Sequence, residues 1–209
     1  MTFHLSCLLK KYANEFIGIQ ETRYLLNEMN DRYPELTKEV QRVLPVQKIT
    51  EIFQRLVEEQ ISIRNLRMVL EALIDWGQKE KDSVLLTEYI RSALKRQISY
   101  QHSGGGNVLS AYLLDPDLEE SIRGAIRQTS SGSYLALEPQ ISQTFLNNLK
   151  TEVKDINRID GPRAVLLTSM DIRRYIRKMV ELDLYNLPVL SYQELTREII
   201  VQPLAKISL

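Results

Sequence analysis

The stretch Ala164–Leu195, "AVLLTSMDIRRYIRKMVELDLYNLPVLSYQEL", decides how the second half of this chain folds. It opens on a short apolar run, Val165 to Leu167. Ile172, Tyr175, Ile176 and Met179 then recur at spacings of three and four, and a second apolar run follows from Leu187 to Leu190. A helical period between two short apolar runs reads as strand, helix, strand. The same alternation precedes it: "VLSAYLL" (Val108–Leu114), a helix after Asp115-Pro116, "SYLAL" (Ser133–Leu137) and a helix after Pro139. "QELTREI" (Gln193–Ile199) reads as a closing helix. Short strands alternating with helices predict an α/β part with substantial parallel pairing in a small mixed sheet.

Local chemistry agrees with these elements. Asp115 is placed to cap a helix whose first turn holds Pro116, Asp117, Glu119 and Glu120, with Arg123 and Arg127 toward its far end, the charge order that opposes the macrodipole. After Pro139, the residues Ile141, Phe145, Leu149, Val153 and Ile156 form one apolar face, which suits a helix covering the sheet.

Working outward, the first half is helical. In "RVLPVQKITEIFQRLVEEQ" (Arg42–Gln60), Val46, Ile49, Phe53, Leu56 and Val57 repeat at helical spacing after Pro45. In "SIRNLRMVLEALIDWG" (Ser62–Gly77), Ser62 suits an N-cap, Ile63, Leu66, Leu70, Leu73 and Ile74 share a face, and Gly77 suits the end. "DSVLLTEYIRSALKRQI" (Asp82–Ile98) continues with Leu85, Leu86, Tyr89, Ala93 and Ile98. Three helices with short connections predict a small bundle from about 45 to 100. The glycines Gly104 to Gly106 then break the pattern and suggest a domain boundary. No Lys-Ser/Thr pair follows them, and a strand rather than a helix comes next, so they do not read as a phosphate loop.

Composition narrows the function. The 209 residues are 44% hydrophobic and 26% charged, as for a soluble globular chain. Lys plus Arg equals Asp plus Glu at 27 each, so no global field selects nucleic acid, an anionic membrane or an acidic substrate. The single cysteine, Cys7, forms no internal disulfide and agrees with a reducing compartment. No run approaches the roughly 18 apolar residues of a membrane span, and the first residues read as the start of a cut chain, Leu5, Leu8, Leu9 and Tyr12 forming a stripe with no partner before it.

Ser191, on the turn after an apolar run, raises the question of a hydrolase nucleophile. Its flanking residues Leu190 and Tyr192 are too large for a nucleophile elbow, and the two histidines, His4 and His102, stand in a terminus and beside the glycines. "SYQE" (Ser191–Glu194) instead matches a capping box. Two histidines and one cysteine far apart do not make a zinc set, and no loop has calcium spacing.

The second sharp feature is a cluster of cations, Arg173, Arg174, Arg177 and Lys178. Read as an outward face, it suits an acidic protein partner better than nucleic acid, since no aromatic residues are interleaved as a stacking platform. A neighbouring subunit is one such partner. Along the second bundle helix, Arg64, Arg67, Glu71 and Asp75 recur at three and four and should also lie outward, as a surface for self-association. Two other classes remain as alternatives: a serine hydrolase resting on Ser191 or Ser169, and a nucleic-acid-binding domain resting on Arg173 to Lys178.

Two segments carry a family resemblance: Ser62–Gly77 and Val165–Leu195, with the spacing between them. They resemble the cytosolic domain of the major export apparatus protein of type III secretion, shared by flagella and injectisomes, with the injectisome branch favoured. The match runs from about Leu5 to the C-terminus. The resemblance implies an intact protein with an N-terminal membrane region in the bacterial inner membrane, a cytosolic part of four subdomains, and a nonameric ring beneath the export gate that serves protein transport and virulence. It divides this chain into trailing helices of preceding subdomains (1–44), a helical ring-forming subdomain (45–103) and an α/β C-terminal subdomain (104–209). The fold class is therefore α+β overall. The implied function is non-enzymatic and needs no cofactor or metal. The chain would assemble with copies of itself and help to dock and transfer export substrates. The implied partners are chaperones, substrates, the gatekeeper and the ATPase stalk, without nucleic acid, and the membrane is met only through the missing N-terminal region. The family's chaperone and substrate docking is attributed largely to the subdomains this chain lacks.

Overall fold

Proline and short polar residues set the helix boundaries throughout the computed structural model, which describes residue 9 and residues 12–129, 132–153 and 164–209. The chain divides into two units, Met1–Leu94 and Lys95–Leu209. The first is helical: after a 3-10 turn at Ala13–Phe16 come α1 (Ile19–Arg32), α2 (Pro34–Val43), α3 (Val46–Glu58), α4 (Leu66–Gly77) and α5 (Ser83–Ala93). Pro34 occupies the first turn of α2, where its missing N–H costs nothing, and Pro45 is the extended N-cap of α3. Asp82 caps α5 through the Val84 amide at 2.7 Å. The cap of α4 is Asn65, which accepts the Met68 amide. Ser62, the residue expected there, lies in the preceding loop and accepts the Arg64 amide instead.

The core of this unit is built from Ile49, Ile52, Phe53 and Leu56 of α3, Val69, Leu70 and Leu73 of α4, and Leu86 and Ile90 of α5, all buried. A Cβ on Gly77 would stand 2.9 Å from the Leu44 Cδ1, so the last residue of α4 must be small for the helix end to pack there. The helix expected over 82–98 is broken. Leu94 donates to both Ile90 and Arg91, tightening the end of α5, and α6 (Lys95–His102) starts anew. The buried face of α5 is also displaced from the expected one: Ala93 is exposed, whereas Glu88 and Arg91 are buried, Arg91 standing 3.1 Å from Glu59.

The second unit begins with α6, so Gly104 to Gly106 lie inside it. Gly104 and Gly105 take φ of +65° and +84° and turn the chain into β1 (Val108–Leu114). There follow α7 (Pro116–Gly124), β2 (Ile126–Thr129), β3 (Gly132–Leu135), α8 (Pro139–Glu152), β4 (Val165–Thr168), α9 (Met170–Val180), β5 (Val189–Ser191) and β6 (Ile200–Ile207). Asp115 caps α7 through the Asp117 amide, as its position suggested. β5, β4, β1 and β6 form a parallel sheet in that order, and β2 and β3 an antiparallel ribbon, which makes the chain α+β. Leu118 and Ile122 of α7, Phe145 and Leu149 of α8, and Ile172, Ile176 and Val180 of α9 pack with Leu114, Leu166, Val189 and Ile207 of the sheet. Ile156, the last residue of the stripe read on α8, lies outside the described residues.

The closing helix expected at 193–199 is absent. One 3-10 turn, Tyr192–Glu194, leads instead to β6, paired along β1. The β-branched residues Ile199, Ile200 and Val201, together with Pro203, disfavour a helix, and β1 presents an edge for them to join. Among the described residues no helix is long and apolar enough to cross a membrane.

Candidate functional site

The four residues read as an outward helical face are all exposed, Arg67, Glu71 and Asp75 on α4 and Arg64 in the loop just before its cap. The buried residues of α4, Val69, Leu70, Ala72 and Leu73 among them, take the other side, which turns the polar positions to solvent. The Arg67 Nε donates to the Glu71 Oε1 at 2.8 Å, and the guanidinium carbon lies 5.1 Å from the centroid of the Tyr33 ring. Glu71 first, and then Tyr33, raise the Arg67 pKa above its ordinary value. Tyr33, just ahead of α2, was not foreseen as part of this face, because its nearness to Arg67 is a tertiary contact.

The cations of α9 do not share one outward face. Lys178 is exposed and Arg174 half-buried, but Arg173 and Arg177 are buried, which overturns the reading of these four residues as a solvent-facing cluster. The Arg173 Nη1 donates to the Val189 carbonyl at 3.1 Å, and its Nε stands 3.7 Å from the Glu194 Oε1. The Arg177 Nη1 donates to the carbonyls of Leu187 at 3.1 Å and Tyr185 at 3.2 Å. Arg174 donates to the Ser133 hydroxyl at 2.6 Å and to the Tyr175 hydroxyl at 2.7 Å, holding the ribbon to α9. Burial leaves Arg173 and Arg177 unable to reach phosphates, so the nucleic-acid alternative loses half of its cluster.

Ser191 is fully buried. Its hydroxyl donates to the Glu194 Oε1 at 2.9 Å, and its amide reaches the same oxygen at 3.2 Å. The Glu194 half of the capping box is thus built around a single 3-10 turn instead of a helix. The backbone oxygen of Glu194 accepts the Ser99 hydroxyl, which in turn accepts the Thr196 amide at 3.1 Å. A hydroxyl held in this way does not reach a substrate, and the corner acts as a clasp between α6 and the sheet. Ser99 gave no signal in the sequence, since its partners lie far along the chain.

Ser169, the other serine considered, is also engaged. Its hydroxyl donates to the Glu119 Oε2 at 2.6 Å and its amide to the Oε1 at 3.0 Å, while the Thr168 hydroxyl donates to that Oε1 at 2.8 Å. Glu119 of α7 thereby satisfies groups at the start of α9, where a carboxylate is favoured by the helix dipole. Arg123 bridges Asp171 and Glu120 at 2.6 Å each, and these two, Asp171 first, raise its pKa. The Tyr192 hydroxyl is pushed up by burial and then by the Glu119 charge.

Comparison with known proteins says to which family a chain with these surfaces and clasps belongs. The FHIPEP family model matches residues 1–200, and the chain belongs to that family. It is 58% identical to the low calcium response locus protein D of Yersinia pestis over 100% of this chain and 30% of that protein. In structure it is similar to the nonameric EscV cytosolic domain from the type III secretion system, with a TM-score of 0.84 and 46% identity over 99% of this chain and 60% of that one. It is also similar to the Chlamydia pneumoniae CdsV protein solved in complex with CdsO, with a TM-score of 0.93 and 50% identity over 99% of this chain and 60% of that one. The chain spans 30% of the length of the curated relative. The resemblance read from Ser62–Gly77 and Val165–Leu195 therefore holds: this is a type III secretion export apparatus sequence of the cytosolic part.

Proposed function

We propose that this chain is a non-enzymatic assembly module of a type III export gate on the cytoplasmic face of the inner membrane, where copies pack side by side into a ring that receives export substrates. The observation that supports it most is the likeness to the nonameric EscV domain across nearly the whole chain. In a ring each copy presents two different patches to its neighbours. The exposed face made by Arg67, Glu71 and Asp75 of α4 with Arg64 just before it is our candidate for one of them: it is charged in both senses, and its Arg67 is preorganised by Glu71 and Tyr33. The CdsV–CdsO complex supports a further partner from the secretion machinery, for which the cations left exposed or half-exposed on α9, Lys178 and Arg174, are candidates. Chaperones, the gatekeeper and the ATPase stalk belong to the same proposal. Of the three ranges assigned from the family, 45–103 holds the proposed ring contact.

Native mass spectrometry of the whole protein over a concentration series tests this reading. The wild type should give nonamers, and the Arg64→Glu, Arg67→Glu double variant should shift the distribution to smaller species while far-ultraviolet circular dichroism stays the same. Nonamers undiminished by the double reversal would remove α4 from the contact.

A further inference from the structure

β5 closes one side of the sheet: β4 pairs with one edge, and among the described residues no strand pairs with the other. The Leu166 amide donates to the Pro188 carbonyl at 2.8 Å, and Leu166 is in register with Val189. In a parallel ladder this turns Pro188 and Leu190 toward β4 and the polar groups of Leu187, Val189 and Ser191 away from it. Side chains meet all three. Arg177 donates to the Leu187 carbonyl and Arg173 to the Val189 carbonyl, each at 3.1 Å, and the Ser191 amide donates to the Glu194 carboxylate at 3.2 Å. The spacing explains the fit. Four residues of helix rise about 6 Å and two residues of strand about 6.6 Å, so arginines one turn apart on an antiparallel helix meet successive outward carbonyls.

We propose that Arg173, Arg177 and Glu194 form an edge seal. They supply the donors and the acceptor that a fifth strand would supply, and so prevent a second copy of this chain from pairing its own β5 there. An unpaired edge is a template for association. The opposite edge is guarded by other means: in β6, Pro203 offers no N–H, and the register with β1 shifts between Ala111 and Tyr112. The three sealing side chains are buried and mutually placed, with the Arg173 Nε 3.7 Å from the Glu194 Oε1, so the seal is part of the packed structure.

The test has two arms. In a parent that carries Arg64→Glu and Arg67→Glu, to set aside assembly through α4, Arg173→Met and Arg177→Met are added together. Sedimentation velocity should show association that rises with concentration, and infrared spectra should gain an intermolecular strand band absent from the parent. A folded variant that stays as dispersed as the parent overturns the seal. In the second arm, Glu194→Gln is followed by hydrogen exchange. The Ser191 amide should exchange about tenfold faster while the Leu166 amide, bonded across the ladder, is unchanged. Equal acceleration of both amides, or of neither, overturns it, and this arm decides the matter if the arginine variant fails to fold.

Discussion

Two helices of this protein, α4 with Arg67 and α9 with Arg173 and Arg177, carry arginines that were expected to face a partner. In α4 the Arg67 side chain is 57% exposed, whereas in α9 that of Arg173 is 1% exposed. α4 holds its own counter-charge, Glu71, one turn away, and its guanidinium stays at the surface. α9 runs beside the edge of β5, where among the described residues no strand pairs with the outward carbonyls, and its arginines turn in to meet them. What separates the two helices is the supply of unsatisfied backbone acceptors within reach, because a buried carbonyl without a donor costs free energy of the same order as a lost hydrogen bond.

The contrast is broken or sharpened most strongly at Arg173. Replacement by Ala removes the cation 3.7 Å from the buried Glu194 carboxylate and the donor to the Val189 carbonyl. Urea denaturation at neutral pH should show a loss of about 3–5 kcal/mol. A loss close to zero would mean that Arg173 is no more integral than a surface cation. Ser191→Ala removes one donor to Glu194 and leaves the Arg173 contact and the Ser191 amide in place, so the loss should be about 1 kcal/mol by the same measurement. Serine-directed phosphonates should label the wild type no faster than this variant, and labelling that depended on Ser191 would restore the nucleophile reading.

At the surface the effects shrink. Arg67→Glu should leave the melting temperature unchanged within error and act on assembly alone, an outcome opposite in kind to that at Arg173. A large drop in melting temperature would show that the Tyr33–Arg67–Glu71 contact is structural. The smallest effect concerns acid. The Lys206 ammonium, then the Asp117 amide, hold the Asp115 carboxyl below its usual range. Its folded pKa being depressed, the contribution of Asp115 is full above its unfolded value, near 3.8, and is lost as pH falls through the folded one. Asp115→Asn, which keeps a capping side chain, should lower stability slightly at neutrality and converge on the wild type as pH falls through the folded value, so that the acid limb is flatter. No change in the acid limb would show that the Lys206 pair adds nothing.

Much of the fold was legible because its signals are local. Pro34, Pro45, Asp82 and Asp115 start helices through their own backbone geometry or side-chain oxygen, and Ile172 with Ile176 marks the buried side of α9 by spacing alone. One local sign went unused: Val180 is buried too, and it widens the apolar arc of α9 toward Arg173 and Arg177. The missed elements depended on partners distant in the chain. Residues 193–199 look helical by composition, yet β6 forms where β1 offers it a ladder. Ser62 is a good cap residue, but the chain enters α4 three residues later, at Asn65.

The sequence by itself determined the helical character of the first half, the strands β1, β3, β4 and β5 with the helices between them, the parallel character of the sheet and the family, since each rests on periodicity, caps or motif spacing carried by neighbouring residues. Only the tertiary structure decided which arginines are seen by solvent, that Ser191 is a clasp and that Ser99 and Glu119 have work to do. A hydrogen-bond partner tens of residues away leaves no mark on local spacing, and the burial of a charge depends on what the fold brings beside it.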